Sequence, residues 1–412
     1  MKANDFLNSL GVTSHMVQHY DTESQVLAGI QYIGVRHWRD DYTNDPNLIS
    51  SFCYIHTATG ATLDGLPYMG AVSYTLTSSW DLIAQCGALF AVEGDNEPNN
   101  FPYSYNNNLC SQSTSFLPCA QHQRDLYAAV KVDPNLSHLP VFAETEPGAE
   151  PDNAGLQFIT IPAGAGALMP DGTVFADYAN LHNYVRCNGC NSLVDNQAWN
   201  AESTGAGAGP YDSLDGEFLG QTFSNHFPAL PLAAGSALPK VTTETGWATD
   251  GSITQDQQGK LLVNVYLSAA KRNWAYTFVY QLIDDNSSDH YGMFTNTNPL
   301  TPKLSANYIH NLTAILADST SNFGSAVLGY SISNEPATVH DLLLQKSDGT
   351  YALAVWGDQV VGETVDVTVN LPRLTTVSVY DVTIGTSPVK AFNNISSVPV
   401  TITDHAVILE FK

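Results

Sequence analysis

Through residue 318 the chain repeats one pattern: a short apolar, β-branched run followed by a stretch whose apolar residues recur at helical spacing. Leu10 to Val17 reads as a strand, Ser24 to Tyr32 as a helix, and Ile33 to Asp40 as a second strand ending in charge. Strand, helix and strand within about 30 residues make the parallel βαβ unit. Further strands are predicted over 71–74, 88–92, 139–143, 179–185, 241–245 and 274–280, with helices over 46–57, 80–87, 123–132 and 305–316. Thr254 to Arg272 is the clearest helix, with Thr254 as N-cap and Leu261, Leu262, Val265 and Leu267 set among polar residues. Eight strands alternating with helices predict a (β/α)8 barrel over 1–318. A doubly wound open sheet is the alternative, but no Gly-rich phosphate loop opens a helix.

Beyond about residue 325 the rhythm shortens. The runs 342–344 and 351–356 flank a Ser347-Asp348-Gly349 turn, Val365, Val367, Val369 and Leu371 alternate with polar residues, and 377–380 and 406–409 are again apolar. Short strands at this spacing predict a small β-sandwich domain over 319–412. A packing module fixed to the barrel is preferred to a carbohydrate-binding one.

Two predicted strands end in glutamate. Ala88 to Val92 runs into Glu93-Gly94-Asp95-Asn96-Glu97-Pro98, where the proline removes a donor and stops the ladder. Val241 to Thr245 carries Glu244 just before Gly246-Trp247. The C-terminal ends of parallel strands are where α/β proteins place chemistry, because the strand fixes the backbone and the loop leaves the side chain open. An Asn-Glu-Pro triplet alone would serve equally as a surface turn; the second strand-end glutamate favours a site. Glu144 and Glu146 compete with Glu244 but lack its Thr-Gly-Trp context, and Glu93 is expected deeper in the barrel. No Ser-His-Asp or His-Glu-x-x-His motif is present.

Composition narrows the partner. With 40 acidic against 15 basic residues the net charge is −25, which disfavours nucleic acid and anionic lipid. Only 13% of residues are charged, so Asn, Ser, Thr, Gln and Tyr must cover the surface, which suits secreted proteins that hydrogen-bond sugars. No run reaches the roughly 18 apolar residues of a membrane span, and the N-terminus lacks a signal-peptide apolar region, as in a mature chain with an added Met. Six cysteines, with Cys110 and Cys119 around one polar loop and Cys187 and Cys190 in another, predict disulfides and a secreted or periplasmic location. A zinc site on Cys187 and Cys190 is the lesser reading, since a second close pair is missing. Oligomeric state has no signature.

Glu-Gly-Asp-Asn-Glu-Pro-Asn (93–99), Thr-Glu-Thr-Gly-Trp (243–247) and the trailing β-domain together resemble clan A glycoside hydrolases. Gly-Val-Thr-Ser-His (11–15), Gly-Val-Arg-His-Trp-Arg-Asp (34–40) and the segment 280–294 resemble bacterial members near families 39 and 5, although Tyr280 stands where many members have Trp and 186–238 matches nothing. The resemblance implies a retaining enzyme without cofactor, acting on β-glycosidic bonds of a carbohydrate substrate. Glu97 would be the acid/base and Glu244 the nucleophile, with Arg39 keeping Glu244 ionised and a drier, more anionic setting keeping Glu97 protonated. Asn96 would donate to the sugar 2-hydroxyl, and His15, His182 and Tyr184 would hold hydroxyls. Trp247, Tyr280 and Trp38 are candidate sugar platforms, with Asp285 and His290 as further contacts, while His37 reads as a satisfied core residue. A non-catalytic glycan-binding protein on a degenerate barrel, or an inverting or transglycosylating enzyme, is the competing reading.

Overall fold

The computed structural model describes residues 1–98, 100–111, 114, 117–145, 173–182, 184, 238–249, 253–285, 290–357 and 364–412. Its centre is a parallel sheet built from β1 (Leu10–Thr13), β2 (His37–Asp40), β3 (Thr62–Gly65), β4 (Leu89–Val92), β5 (141–145), β6 (Ala179–His182), β7 (Lys240–Thr245) and β8 (Tyr276–Val279). Hydrogen-bonded pairing runs β4-β3-β2-β1-β8-β7-β6. Single parallel bridges, Val92 with Val141, Asn96 with Thr145 and Phe142 with Tyr178, seat β5 between β4 and β6. The sheet thereby closes into a (β/α)8 barrel.

The connecting helices follow local chemistry. Thr22 caps Glu23–Ile33 in a capping box with Gln25, and Gly34 ends it at a φ of 71°. Asp45 caps Pro46–Thr59, with proline in the first turn and Gly60 at the end. Thr254 and Gln257 form the box that opens Gln255–Lys271, as the sequence suggested.

The expected strand over 71–74 is instead a helical turn, Val72–Thr75, and the third strand lies nine residues earlier, at Thr62–Gly65. The apolar pattern misleads here because Asp64 is fully buried in the barrel's polar interior, and Gly65 is small where the Trp80 ring would meet a Cβ at 2.6 Å. Cys53 pairs with Cys86, tying Pro46–Thr59 to the turn before β4. Cys110 pairs with Cys119, tying a small hairpin to helix Leu117–Val132. Cys187 and Cys190 lie outside the described residues. Among those residues no helix is long and apolar enough to cross a membrane.

The C-terminal region is a six-stranded antiparallel sheet. Its strand Tyr351–Gly357 is buried throughout and split by side: Tyr351, Leu353 and Val355 join the sheet's own core, while Ala352, Ala354 and Trp356 join the barrel core. The runs expected as separate strands over 365–371 and 377–380 belong to one strand, Val365–Asp381, with register shifts near Thr375. Lys390–Ile402 pairs with it and was not foreseen, because its polar, largely exposed first half lacks alternation. Lys260 pairs with Asp404 at 3.0 Å, and the Asn264 Nδ2 donates to the Gly357 carbonyl at 3.1 Å, fixing the sheet to helix Gln255–Lys271.

Candidate active site

Arg39, at the end of β2, organises the barrel mouth. Its Nε and Nη2 donate to the two oxygens of Glu93 at 2.7 and 3.0 Å, Nη1 to Glu244 Oε1 at 2.7 Å, and Nη2 to Asn96 Oδ1 at 2.8 Å. Burial works against the cation, but the Glu93 and Glu244 charges outweigh it and hold the guanidinium well above its ordinary pKa. It is paired with neither Asp40 nor Asp41. Asp40 instead clamps the loop after β1, accepting from Ser14 Oγ at 2.5 Å and Met16 N at 2.9 Å. Glu93 lies deeper, as expected, and also accepts from Thr243 Oγ1 at 2.8 Å and Asn180 Nδ2 at 3.1 Å. Beside it, burial and then the Glu93 charge push the Asp64 carboxyl well above the usual range.

Glu97 follows two residues after the Asp95 carbonyl that accepts from Thr145 N. Its φ of 44° places it in the left-handed region, a costly setting for a side chain directly before proline. The carboxylate sits between His182 Nδ1 at 2.6 Å and Asn100 Nδ2 at 3.0 Å. Burial works to raise its pKa, but the His182 hydrogen bond and charge, with Asn100 and Arg39, outweigh it and hold the carboxyl below its ordinary value. The dry setting expected for Glu97 is therefore present, but its hydrogen-bond and charge partners hold the carboxyl down where a raised one was expected.

Glu244 ends β7. Besides Arg39 it accepts from Tyr184 OH at 2.8 Å on Oε2, which lies 3.6 Å from His182 Nδ1. Burial, then Glu244 and Glu97, pushes the Tyr184 phenol well up, so it remains a donor. Carboxylate oxygens of Glu97 and Glu244 and a His182 ring nitrogen lie within 4.8 Å of one another. Among the described residues this is the one group placed like metal ligands. The 2.6 Å contact between His182 and Glu97 is nevertheless a hydrogen bond, shorter than the about 3.3 Å that two ligands keep on one tetrahedral zinc.

A cavity of about 880 Å³ opens over the pair. His15, Arg39, Asn96, Glu97, Tyr184, Glu244 and Tyr280 all line it. His182 stands fully buried behind Glu97 and bonds Thr243 Oγ1 at 3.1 Å through Nε2, so it positions a carboxylate and does not face the cavity. Asn96 spends Oδ1 on Arg39, which leaves Nδ2 as donor. Trp247 does not line the cavity: it packs on Leu261 and Val265 and sets its ring edgewise to Tyr184. Asp285 is also absent from the lining, although its charge acts on His15, Asp21 and Tyr280. Trp38 is core, against Phe52, and His37 is satisfied by Thr62 and the Asn8 carbonyl. His290 offers its backbone carbonyl to Thr249 N. Glu144 is buried away from the cavity, its carboxyl pushed well above normal by burial and then Asp95, and Glu146 lies outside the described residues. Tyr291, Asp41, Tyr68 and Phe101 line the cavity without having been singled out as contacts. Tyr291 falls inside the strand-eight segment that carried the resemblance; the others sit in loops without a motif.

No family model and no curated protein matches the sequence. Solved structures do. The glycoside hydrolase family 30 subfamily 8 xylanase Xyn30A from Clostridium acetobutylicum is similar at 11% identity with a TM-score of 0.54, over 98% of this chain and 96% of that one. The catalytic domain of family 30 xylanase C from Talaromyces cellulolyticus gives 13% and 0.52 over 98% and 96%. The family 51 arabinofuranosidase from Xanthomonas axonopodis pv. citri gives 13% and 0.52 over 94% and 89%. These three belong to families 30 and 51, not to 39 or 5, and at such identity the likeness is one of fold, extending across barrel and C-terminal sheet.

Proposed function

We propose that the protein is a retaining glycoside hydrolase that cleaves β-glycosidic bonds of an oligo- or polysaccharide by double displacement. The observation that carries this reading is the approach of Glu97 and Glu244 oxygens to within 4.8 Å at the mouth of one barrel. That spacing suits direct attack by one carboxylate, because inverting enzymes keep about 6.5–9.5 Å between the two to seat a water.

Glu244, oriented by Arg39 and Tyr184, attacks the anomeric carbon and forms the glycosyl-enzyme. Glu97, held by His182 at 2.6 Å, acts as the acid that protonates the leaving oxygen. It then takes a proton from the water that releases the sugar. Asn96 Nδ2 donates to the 2-hydroxyl, a contact that strengthens as charge develops. No cofactor takes part in this scheme. Residues 1–318 form the catalytic unit, and 319–412 a packing module, which the burial of Ala352, Ala354 and Trp356 in the barrel core supports. The two disulfides suit an extracytoplasmic protein.

The test is release of reducing ends from a broad panel of neutral and charged polysaccharides by wild type, Glu97→Ala and Glu244→Ala. Cleavage by wild type, with retention at the first-formed anomer and loss in both variants, is the expected result. Undiminished cleavage by either variant removes the assignment, and glycan binding without any cleavage supports the non-catalytic alternative.

A further inference from the structure

The cavity is strongly biased in charge. Among the described residues Arg39 is the only Lys or Arg that lines it, and its donors are committed to Glu93, Glu244 and Asn96. His15 adds no charge at neutral pH, since burial and then Arg39 lower its pKa to about 4. Opposing them, Asp41 lines the cavity beside Arg39 and close enough to Glu244 for the two charges to interact. Asp40 is occupied by the β1 loop, but Asp41 gives one oxygen to Gln18 Nε2 and is only half-buried.

The same cavity carries exposed apolar side chains. Tyr68, Met69 and Phe101 line it at 54%, 39% and 53% exposure. Large apolar groups open inside a concave site suit a ligand with an apolar face, and a pyranose ring presents C–H faces and hydroxyl edges.

We propose that Asp41 selects the substrate: its carboxylate accepts hydrogen bonds from hydroxyl or ammonium groups of a neutral or amino sugar laid against the Tyr68–Met69 wall, and uronic acids and sulfated sugars are turned away. This rests on the reading of the cavity as a glycan site. A uronate here would meet Asp41, Glu97 and Glu244 with no uncommitted Lys or Arg among the described residues to receive it, and the like-charge cost acts as specificity against it.

Binding of xylohexaose, cellohexaose, glucosamine hexamer and hexagalacturonate to the Glu244→Gln protein is measured by titration calorimetry at pH 6.5, alone and with Asp41→Asn, Asp41→Lys or Tyr68→Ala added. At least one neutral or amino hexamer binds, and hexagalacturonate does not. Asp41→Asn and Tyr68→Ala each weaken the bound hexamer about tenfold, and Asp41→Lys admits hexagalacturonate. The proposal is overturned by hexagalacturonate binding as tightly as the best neutral probe, by unchanged affinity in folded Asp41 variants, or by no hexamer binding at all. Cleavage is scored separately on wild type, so binding without cleavage would remove the hydrolase reading and leave the role of Asp41 standing.

Discussion

His182 and His405 each stand between two carboxylates, one at the barrel mouth and one where the C-terminal sheet meets the barrel. His182 is fully buried, with Nδ1 at 2.6 Å from Glu97 and 3.6 Å from Glu244. His405, with 15% of its side chain exposed, reaches Asp381 at 3.1 Å and Asp404 at 3.0 Å, and Asp404 also takes Lys260. Burial lowers the His405 pKa, but the Asp381 and Asp404 bonds outweigh it and push it up to about 9. The docking cluster is thus a matched set of charges near solvent. The mouth instead concentrates Glu93, Glu97, Glu244 and Asp41 around one arginine and one histidine, all but Asp41 of them buried. An excess of carboxylates in a dry setting costs stability and creates the perturbed carboxyl and oriented nucleophile that catalysis would use.

The contrast can be broken most sharply at Glu244. Glu244→Ala is expected to lower kcat by about a thousandfold or more, ~4 kcal/mol of barrier, while its unfolding midpoint in urea stays near that of wild type. Arg39→Met has the opposite signature. It leaves Glu93 buried without its cation, and a destabilisation of about 3–5 kcal/mol is expected in the same denaturation experiment.

His182→Gln sharpens the comparison from the mouth side. With the histidine gone, burial dominates at Glu97 and its pKa rises, so the acid form persists further. The alkaline limb of kcat/KM is expected to move to higher pH, and an unmoved limb would separate His182 from the proton. At the docking cluster the effect is smaller and falls on stability. His405 binds its proton more tightly folded than unfolded, so its contribution is complete below about 6.5 and fades as pH rises through about 9. Urea unfolding between pH 6 and 10 is expected to lose on the order of 2 kcal/mol in wild type through this group and correspondingly less in His405→Ala.

Much of this was legible in the sequence where backbone punctuation marks it. Gly246 stops β7 just past Glu244, Glu97-Pro98 lies in the loop that follows β4, and both glutamates reach the same cavity. Arg39, Asn96, His15, Tyr184 and Tyr280 arrive there with them because each closes or follows a strand. What escaped depends on contacts between distant segments. β3 was misplaced because Asp64 faces the polar interior and breaks the apolar run. His182 read as a sugar contact, since nothing local shows that it turns to Glu97, 85 residues away. Cys53 and Cys86, 33 residues apart on a helix and in a turn, have no local sign of pairing. Trp247 looked like a platform by its place after Glu244, but the chain turns it toward Leu261 and Val265.

The central claim is that Glu244 forms a covalent bond to the substrate. Wild type is incubated with a set of 2,4-dinitrophenyl 2-deoxy-2-fluoro-β-glycosides spanning glucosyl, xylosyl, galactosyl and mannosyl sugars, then digested and mapped by mass spectrometry. The account predicts one glycosyl adduct, on the peptide containing Glu244. An adduct on Glu93 or Glu144, or turnover of these sugars' ordinary aryl glycosides with no adduct at all, would contradict it.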